Sequence, residues 1–431
     1  MKIAFHTLGC KVNQYETQAM RRLAEEQGFT TAEFMPGDGC DADILVINSC
    51  TVTGESDRKL RQLLRRCRRE HPEAILVLTG CMPQAFPQVA ATYTEADIVL
   101  GNASRHALLT HINAYLAARQ RIVDIPAHGK EIEPLCIDDF VGRTRAFVKI
   151  QDGCNRFCSY CIIPYARGRV RSRAPQDIRE ELEALAAHGY REAVLVGINL
   201  TAYGQDTGLS IADAVDAACA VDGLERIRLG SLEPDFMTED ILARLASQEK
   251  LCPQFHVALQ SGCDATLRRM NRHYTTAEFA SLCERLRRLF PGCALTTDVM
   301  VGFPGETEEE FAASLAFVRQ IGFARVHVFA YSRRPGTVAD KMPDQIPQAV
   351  KNARSRRMID ACRDTAAAYA AAYVGRTVGV LLETRQEDGT VEGHTDTYLT
   401  VRVRTDAPSG ALIPVRITAA REELLLGEEA L

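Results

Sequence analysis

Three cysteines lie within eight residues, at Cys154, Cys158 and Cys161, directly after the apolar run of residues 145–150. Their CxxxCxxC spacing suits three corners of a [4Fe–4S] cluster, which normally takes four cysteine thiolates. Because no nearby histidine or cysteine completes the set, one iron would stay open to an exogenous ligand, and an open iron indicates a cluster that takes part in chemistry. The alternatives are a zinc site, which usually has a fourth protein ligand, and thiols that are simply buried.

Length and composition limit the class of protein that carries this motif. A chain of 431 residues predicts two or three domains, and 46% hydrophobic with 25% charged residues is typical of a soluble globular protein. No stretch approaches the ~18 apolar residues of a membrane helix, and residues 1–10 become polar too early for a signal peptide. The 15 cysteines fit a reducing compartment with free thiols. We therefore expect a cytoplasmic protein without disulfides.

In the first 125 residues, short apolar runs alternate with charged helical stretches. Runs of this kind are typical of buried parallel strands in a doubly wound α/β sheet. The predicted strands cover residues 2–6, 43–48, 74–79 and 96–100, and the clearest predicted helices cover residues 16–27 and 57–70.

Three of these predicted strands are followed by a cysteine, namely Cys10, Cys50 and Cys81. Since parallel strands place their carboxyl ends at one edge of the sheet, we expect the three thiols to converge although they are far apart in sequence. Such an arrangement predicts a second three-cysteine cluster site. The alternative for each cysteine alone is a small buried hydrophobic residue.

Residues 143–338 repeat a strand and helix unit six times, which predicts an open, partial (β/α)6 barrel with its chemistry at the carboxyl ends of the strands. Polar or glycine-bearing tails follow the strands, although each tail alone is also typical of an ordinary turn. Residues 307–310 have the form of a capping box and are explained as a helix start. The predicted strands cover residues 146–150, 193–196, 226–229, 255–259, 294–301 and 324–330.

The carboxyl-terminal part differs, because its predicted strands have no long helices between them. Strands at 375–383, 389–395, 398–403 and 412–417 predict a small all-β barrel, and the alanine-rich residues 366–373 predict a helix that joins it to the preceding domain. From residue 371 onward there are six arginines, no lysine and ten acidic residues, which gives a net charge of −4. This domain is therefore acidic overall.

Five motifs together resemble those of radical S-adenosylmethionine (SAM) methylthiotransferases, and the resemblance covers nearly the whole chain. It implies an N-terminal methylthiotransferase domain at residues 1–125, a radical SAM domain at 140–365 and a TRAM-like β-barrel at 371–431. The motifs are Thr7–Glu16, Asn48–Thr53, Gly80–Gln84, Gly153–Gly168 and His256–Gly262.

The resemblance also implies two [4Fe–4S] clusters and SAM as cofactors. It assigns an auxiliary cluster to Cys10, Cys50 and Cys81, and the radical cluster to Cys154, Cys158 and Cys161. No general acid–base pair is needed. We interpret His256 and His327 as core histidines, and Met300 and Phe303 as packing residues. The candidates for SAM contact lie in the cysteine loop and at the strand ends: Tyr160, Gly197, Asn199, Glu233, Gln260, Ser261 and Asp298.

Within this family the first motif, with Lys11 and Val12 after Cys10, resembles the branch that modifies N6-threonylcarbamoyladenosine beside the anticodon of tRNA. Residues 165–168 support that interpretation. Carbon 2 of adenine is neither acidic nor electrophilic enough for simple substitution, so its C–H bond calls for radical chemistry from a cofactor. The resemblance implies that a second SAM methylates sulfur held at the auxiliary cluster. Other branches modify isopentenyladenosine in tRNA or an aspartate of a ribosomal protein.

A tRNA partner should leave a basic footprint, yet the chain carries a net charge of −5. Positive charge is local, at residues 58–69 and 268–273, although charge runs are often only solvated faces. A reductant protein, flavodoxin-like or ferredoxin-like, is the second expected partner. An iron–sulfur RNA-binding protein without turnover is the alternative from another class. We predict RNA phosphate contacts for the alternating arginines after the radical motif: Arg167, Arg169, Arg171 and Arg173.

Overall fold

The computed structural model describes residues 1–430, and its N-terminal domain is a six-stranded, fully parallel sheet in the order β2-β1-β3-β4-β5-β6. The predicted doubly wound sheet is therefore confirmed. Two short strands were not predicted, because their partly exposed residues form no apolar run. The elements are β1 (Lys2–Thr7), α1 (Lys11–Glu26), β2 (Thr30–Glu33), β3 (Ile44–Ser49), α2 (Gly54–Glu70), β4 (Ile75–Gly80), α3 (Cys81–Ala85), α4 (Pro87–Ala90), β5 (Ile98–Leu100), α5 (Leu108–Ala118) and β6 (Ile122–Asp124).

The central strands of this sheet are apolar on both faces, which fixes where their ends lie. Leu45 and Ile47 of β3 pack into one core cluster, whereas Ile44 and Val46 pack into the cluster on the opposite face. Burial on both faces requires a continuous apolar run, as the sequence of β3 and β4 provides. The polar residues after each run therefore lie together at the carboxyl edge.

The central domain is an open barrel built from parallel strands. One group pairs in the order β11-β10-β7 and the other in the order β12-β13-β14-β15, and a parallel bridge between Ile227 and Leu251 joins the two. The six predicted strands are β7, β10, β11, β13, β14 and β15. The elements are β7 (Arg145–Lys149), β8 (Gln151–Asp152), α6 (Ile163–Arg167), β9 (Arg171–Ser172), α7 (Pro175–Ala187), β10 (Glu192–Val196), α8 (Ile211–Cys219), β11 (Arg226–Leu229), β12 (Ser231–Leu232), α9 (Glu239–Ala246), β13 (Gln254–Val257), α10 (Asp264–Arg269), α11 (Thr276–Leu289), β14 (Ala294–Val301), α12 (Glu308–Ile321), β15 (Arg325–Ala330) and α13 (Gln348–Ala371).

Helix α12 begins as predicted with a capping box. The Thr307 hydroxyl accepts a hydrogen bond from the Glu310 amide at 3.2 Å, and the Glu310 side chain returns to the Thr307 amide at 3.2 Å. Helix α13 is longer than the alanine-rich stretch at 366–373 indicated. It extends from Gln348 to Ala371 and leads from the open barrel into the C-terminal domain.

The C-terminal domain is a closed barrel of five strands in the order β16-β17-β18-β20-β19, which confirms the predicted small all-β barrel. Strand β20 was not predicted. The barrel docks on the central domain through arginines of β11, since Arg228 Nη1 donates to the Asp396 carbonyl at 2.7 Å and Arg226 Nη2 to that of Gly379 at 2.8 Å. The strands are β16 (Thr377–Arg385), β17 (Thr390–Thr395), β18 (Thr400–Arg404), β19 (Leu412–Arg421) and β20 (Leu424–Glu429). Within residues 1–430, no helix combines the length and apolar character needed to span a membrane.

Candidate active site

The carboxyl edge of the N-terminal sheet brings together Cys10, Cys50 and Cys81. The Cys10 and Cys81 sulfurs lie 3.7 and 3.9 Å from the same atom, Asn13 Oδ1. Gly9, with φ of +121°, passes so close to Cys50 that a Cβ there would lie 2.8 Å from the Cys50 Cβ. The glycine therefore lets the chain fold the three thiols against one another, as the strand ends predicted.

Cys81 receives hydrogen bonds from two other residues. Arg167 Nε donates to the Cys81 sulfur at 3.2 Å and Asn102 Nδ2 donates at 3.7 Å, while Arg167 Nη2 donates to Asn13 Oδ1 at 2.6 Å. A fully buried guanidinium that donates to this sulfur fixes its orientation, as the hydrogen-bonding partners of metal ligands do. The donor set therefore fits one side of an iron–sulfur cluster.

Arg167 belongs to a buried charge network that joins the N-terminal and central domains. Glu16 of α1 is completely buried and forms ion pairs with Arg105, Lys149 and Arg167. Burial alone would raise the pKa of Glu16, but the three cations outweigh that effect and hold its pKa at about 2. Glu16 therefore stays ionised and anchors Arg167 beside Cys81.

The radical motif forms a loop whose backbone is tied to neighbouring elements. The Cys154 amide donates to the Gly168 carbonyl at 3.0 Å, and the Ser159 amide donates to the Met270 carbonyl at 3.0 Å. Gly153 has φ of +75°, and a Cβ at this position would lie only 1.8 Å from the Arg169 carbonyl oxygen. The loop therefore requires glycine just before its first cysteine.

Polar side chains of the barrel reach two of the three thiols in this loop. Asn199 Nδ2 lies 3.9 Å from the Cys154 sulfur, and Arg272 Nη1 lies 3.4 Å from the Cys158 sulfur. Burial raises the pKa of the Cys161 thiol to about 12, and the neighbouring Cys158 adds to the increase. Iron would have to displace the protons of such thiols when it binds. Within residues 1–430, no three Cys, His, Asp or Glu side chains are arranged to hold a single metal ion, so the fit to a cluster depends on the donor set and its hydrogen bonds.

Three of the predicted SAM contacts lie near these thiols or line a cavity of about 560 Å³ between the three domains. Asn199 contacts Cys154, and Glu233 is paired with Arg272, which contacts Cys158. Gly197 lines the cavity. These assignments stay predictions.

The other four predicted contacts have mixed surroundings. The Asp298 carboxylate lies 3.3 Å from His256 Nε2, and the Tyr160 ring packs edge-on against Phe303. Gln260 has φ of +63° and pairs through its backbone with Asp298 and Met300. Ser261 is buried, and its hydroxyl accepts from the Cys263 amide at 3.3 Å, so this side chain supports a turn.

One cavity of about 560 Å³ is bounded by all three domains. The N-terminal domain contributes Cys10 and Lys11, the open barrel contributes His256 and His327, and the C-terminal barrel contributes Tyr398. The interpretation as a core histidine was wrong for His327, which is exposed, whereas His256 is partly buried and both its ring nitrogens have partners, Thr296 and Asp298. The volume lies in the range of small-ligand sites. A larger groove of about 1050 Å³, beside Tyr165 and Arg169, is lined by none of the six cysteines.

Tyr398 is held rigidly at this cavity. The guanidinium groups of Arg145 and Arg228 each lie 4.9 Å from its ring centre, and the ring stacks on His394 at 4.6 Å. Its φ of +69° is uncommon for a residue other than glycine. Sequence reasoning missed Tyr398, because only the docking of the C-terminal barrel brings it to the site.

The prediction that four arginines form an RNA-binding strip is wrong for three of them. Arg167, Arg171 and Arg173 are buried, with at most 7% of their surface exposed. Arg173 is paired with Glu181, and Arg171 Nη2 donates to the Arg167 carbonyl at 2.8 Å. Their partners lie on other elements, so the sequence pattern did not reveal the pairing.

The remaining basic residues also have defined partners. Arg169 is exposed, and its guanidinium lies over the Phe157 ring at 4.7 Å. Along α2, Arg66 pairs with Glu70 at 2.7 Å and Arg68 with Asp97 at 2.6 Å, which is typical of a solvated helix face. Of the four predicted phosphate contacts, only Arg169 is presented to solvent.

Comparisons with known proteins agree with this geometry. Residues 148–318 match the Radical SAM superfamily, and residues 2–101 match the Uncharacterized protein family UPF0004. A radical SAM methyltransferase from Kitasatospora setae, TsrM, has a similar structure, with a TM-score of 0.59 and 15% identity over 79% of this chain and 74% of that chain. The fold and the cysteine loop thus define a radical SAM enzyme.

Individual curated relatives show which family of radical SAM enzymes the chain belongs to. The Bacillus subtilis protein named threonylcarbamoyladenosine tRNA methylthiotransferase MtaB is 38% identical over 97% of this chain and 94% of its own length. Its Thermotoga maritima namesake is 35% identical over 92% and 90%. A Clostridium botulinum tRNA-2-methylthio-N(6)-dimethylallyladenosine synthase is 33% identical over 98% and 96%. The chain belongs to the radical SAM methylthiotransferase family, whose members carry two [4Fe–4S] clusters and use SAM.

Proposed function

We propose that this enzyme adds a methylthio group to carbon 2 of N6-threonylcarbamoyladenosine next to the anticodon of tRNA. The observation that carries the proposal is the cavity that joins Cys10, the strand ends of the open barrel and Tyr398. Its lining includes Cys10 of the first cysteine set and Gly197, two residues before Asn199, which contacts Cys154 of the second set. The names of the relatives from B. subtilis and T. maritima support this substrate over other tRNA adenosines.

We assign the two clusters to the two cysteine sets. The set of Cys10, Cys50 and Cys81 would hold the auxiliary cluster, and the set of Cys154, Cys158 and Cys161 would hold the radical cluster. When bound, the clusters and SAM supply the radical that breaks an unreactive C–H bond, together with the sulfur and methyl group that replace the hydrogen.

The protein's own residues position these groups. Arg167 orients Cys81, and Asn199 and Arg272 orient Cys154 and Cys158 through hydrogen bonds to their sulfurs. The walls of the cavity would hold the base beside Cys10 and limit its contact with bulk water, which brings the reacting atoms together without a diffusional step.

The other proposed SAM contacts are assigned from their positions in the cysteine loop and at the strand ends of the open barrel. Gly197 lines the cavity and packs closely against Gln151, because a Cβ there would lie 2.8 Å from Gln151 Oε1. Tyr160, Glu233, Gln260, Ser261 and Asp298 stay candidates, with Ser261 acting through its backbone because its side chain is buried.

The partners follow from the reaction. Transfer to RNA requires tRNA, and reduction of the radical cluster requires an electron donor, for which we propose a flavodoxin-like or ferredoxin-like protein in the cytoplasm. Arg169 and Lys130 line the groove of about 1050 Å³ and are candidates for phosphate contact. The C-terminal barrel, with its net charge of −4, would contribute the Tyr398 ring more than electrostatic attraction.

The test is nucleoside mass spectrometry of tRNA from a strain that lacks this gene. Restoring the gene should produce 2-methylthio-N6-threonylcarbamoyladenosine, and restoring a Cys158→Ala variant should not. If the threonylcarbamoyl nucleoside is present and stays unmodified with the intact gene, the proposed substrate is wrong. Appearance of a 2-methylthio isopentenyl nucleoside or of a modified ribosomal protein would then identify the true substrate.

A further inference from the structure

The charged side chains that line the cavity between the three domains are all positive. Its lining includes three cationic side chains, those of Lys11, Arg228 and Arg325, and no aspartate or glutamate among residues 1–430. A site whose lining carries cations and no carboxylate favours an anionic ligand, because the summed positive potential attracts it. The charge of the cavity therefore bears on which modified base fits it.

Two of these cations are already neutralised by carboxylates of this chain. Arg228 Nε donates to Glu192 at 3.0 Å, and its Nη1 donates to the Asp396 carbonyl at 2.7 Å. Arg325 Nε lies 3.3 Å from Glu423. Both therefore have a partner before any ligand enters.

Lys11 differs from both arginines. Its side chain is exposed, its ammonium lies 5.7 Å from the centre of the Phe147 ring, and among residues 1–430 it forms no ion pair with a carboxylate. Lys11 is also the first residue of α1, a helix of 16 residues whose preceding residue provides no side-chain cap. The positive end of that helix adds to the charge of the lysine.

The proposed substrate carries the matching group. N6-threonylcarbamoyladenosine ends in the carboxylate of its threonine part, whereas an isopentenyl group is apolar. We propose that the Lys11 ammonium binds this carboxylate and is the residue that makes the enzyme specific for an anionic modified adenosine. This inference rests on the proposed function and deepens it.

The position of Lys11 gives the contact a second consequence. Lys11 directly follows Cys10 in sequence and both line the same cavity. A carboxylate held by Lys11 would therefore keep the adenine close to the auxiliary cysteines. Lys11 acts as a positioning and specificity residue and takes no part in bond making.

The experiment uses two anticodon stem-loop RNAs, one with N6-threonylcarbamoyladenosine and one in which a carboxamide replaces the carboxylate. Dissociation constants are measured by fluorescence anisotropy with cluster-loaded enzyme and SAM but no reductant, and KM and kcat are then measured with reductant. The wild type should bind the carboxylate RNA about tenfold more tightly than the carboxamide RNA, as expected for one charge-assisted contact. Lys11→Met should reduce that ratio to about one and raise KM more than it lowers kcat.

Two control variants and one replacement variant keep the test decisive. Lys11→Arg should retain the preference for the carboxylate RNA, because the charge is kept. Arg325→Gln should also retain it, although it removes a cavity cation, because that cation is paired with Glu423. If Lys11→Met fails to load iron to the wild-type level, Lys11→Gln replaces it.

The outcomes separate the inference from the function on which it rests. If Lys11→Met keeps the wild-type ratio of the two dissociation constants, the inference about Lys11 is wrong, and the proposed function is unaffected. Equal weakening of both RNAs would also overturn it and would indicate a phosphate contact instead. If the wild type binds both RNAs but methylthiolates neither while still cleaving SAM, the proposed function fails.

Discussion

Arg167 Nε donates a hydrogen bond to the Cys81 sulfur at 3.2 Å, and this contact joins the two cysteine sets through the protein. Arg167 ends α6, six residues after Cys161, the last cysteine of the radical loop. Cys81 begins α3 at the carboxyl edge of the N-terminal sheet. One segment thus carries the proposed ligands of one cluster and the hydrogen-bond donor to a ligand of the other.

Arg167→Met should lower the reduction potential of the auxiliary cluster. The guanidinium stabilises the extra negative charge of the reduced cluster, and its loss should shift the potential on the order of 60 mV, one tenfold change for a one-electron couple. The measurement is a redox titration followed by EPR in a Cys158→Ala background, which isolates the auxiliary cluster.

Arg173→Lys is the matched control for this titration. Arg173 lies in the same segment and is equally buried, but it pairs with Glu181 and contacts no thiol. An equal shift in both variants would mean that Arg167 acts through the fold and not through Cys81.

The two cysteine sets should separate in function. Cys10→Ala should still cleave SAM to 5′-deoxyadenosine but lose methylthiolation, whereas Cys158→Ala should lose both. The reason is that only the loop of residues 154–161 would carry the cluster that reduces SAM. Chromatography of 5′-deoxyadenosine, beside mass analysis of the RNA, measures the two activities on the same samples.

One result would contradict separate roles for the two cysteine sets. If Cys10→Ala and Cys158→Ala lose SAM cleavage equally, with both proteins folded and with iron retained in the unaltered set, the assignment of two distinct roles is wrong.

The fold could be predicted because its strands carry strong local signals. The continuous apolar runs of β3 and β4 predicted buried parallel strands, and the position of Cys50 and Cys81 after them predicted that the thiols converge. Strands β2, β6 and β20 were missed, because β2 and β6 are short and partly exposed and β20 follows its partner after a two-residue turn.

The site was less predictable, because its residues meet only through tertiary contacts. Arg272 reads in sequence as part of a basic stretch, yet it is buried against Glu233 and Cys158. Arg167 and Arg173 were predicted as phosphate contacts, but Arg167 pairs with Glu16 of α1 and Arg173 with Glu181 of α7. The local sequence pattern gives the charge of a side chain but does not identify the residue with which it pairs.

Glu16→Gln should destabilise the protein by about 3–5 kcal/mol, because it removes the common partner of three buried cations. The folded pKa of Glu16, about 2, lies below the ordinary value of 4.5. Its stabilising effect is therefore complete above pH 4.5 and is lost as the pH falls from 4.5 toward 2. Thermal unfolding of the cluster-free chain and its variant between pH 6 and 3 measures this.

The pH dependence provides the check on that prediction. The difference in midpoint between wild type and Glu16→Gln should shrink below pH 4.5. Glu55→Gln, an exposed carboxylate paired only with Arg58, is the control and should change the midpoint little at any pH. A difference for Glu16→Gln that stays constant down to pH 3 would show that burial, and not ionisation, sets its effect.

Tyr398→Ala should raise KM for the RNA substrate about tenfold or more while SAM cleavage without RNA stays near the wild-type rate. The Tyr398 ring lines the cavity and is held by Arg145, Arg228 and His394, so it can contact a base without ordering a mobile side chain. A contact between one base and an aromatic ring contributes roughly 1–3 kcal/mol. Tyr398→Phe, which keeps the ring and removes the hydroxyl, should behave like the wild type. If Tyr398→Phe loses as much as Tyr398→Ala, the hydroxyl and not the ring makes the contact.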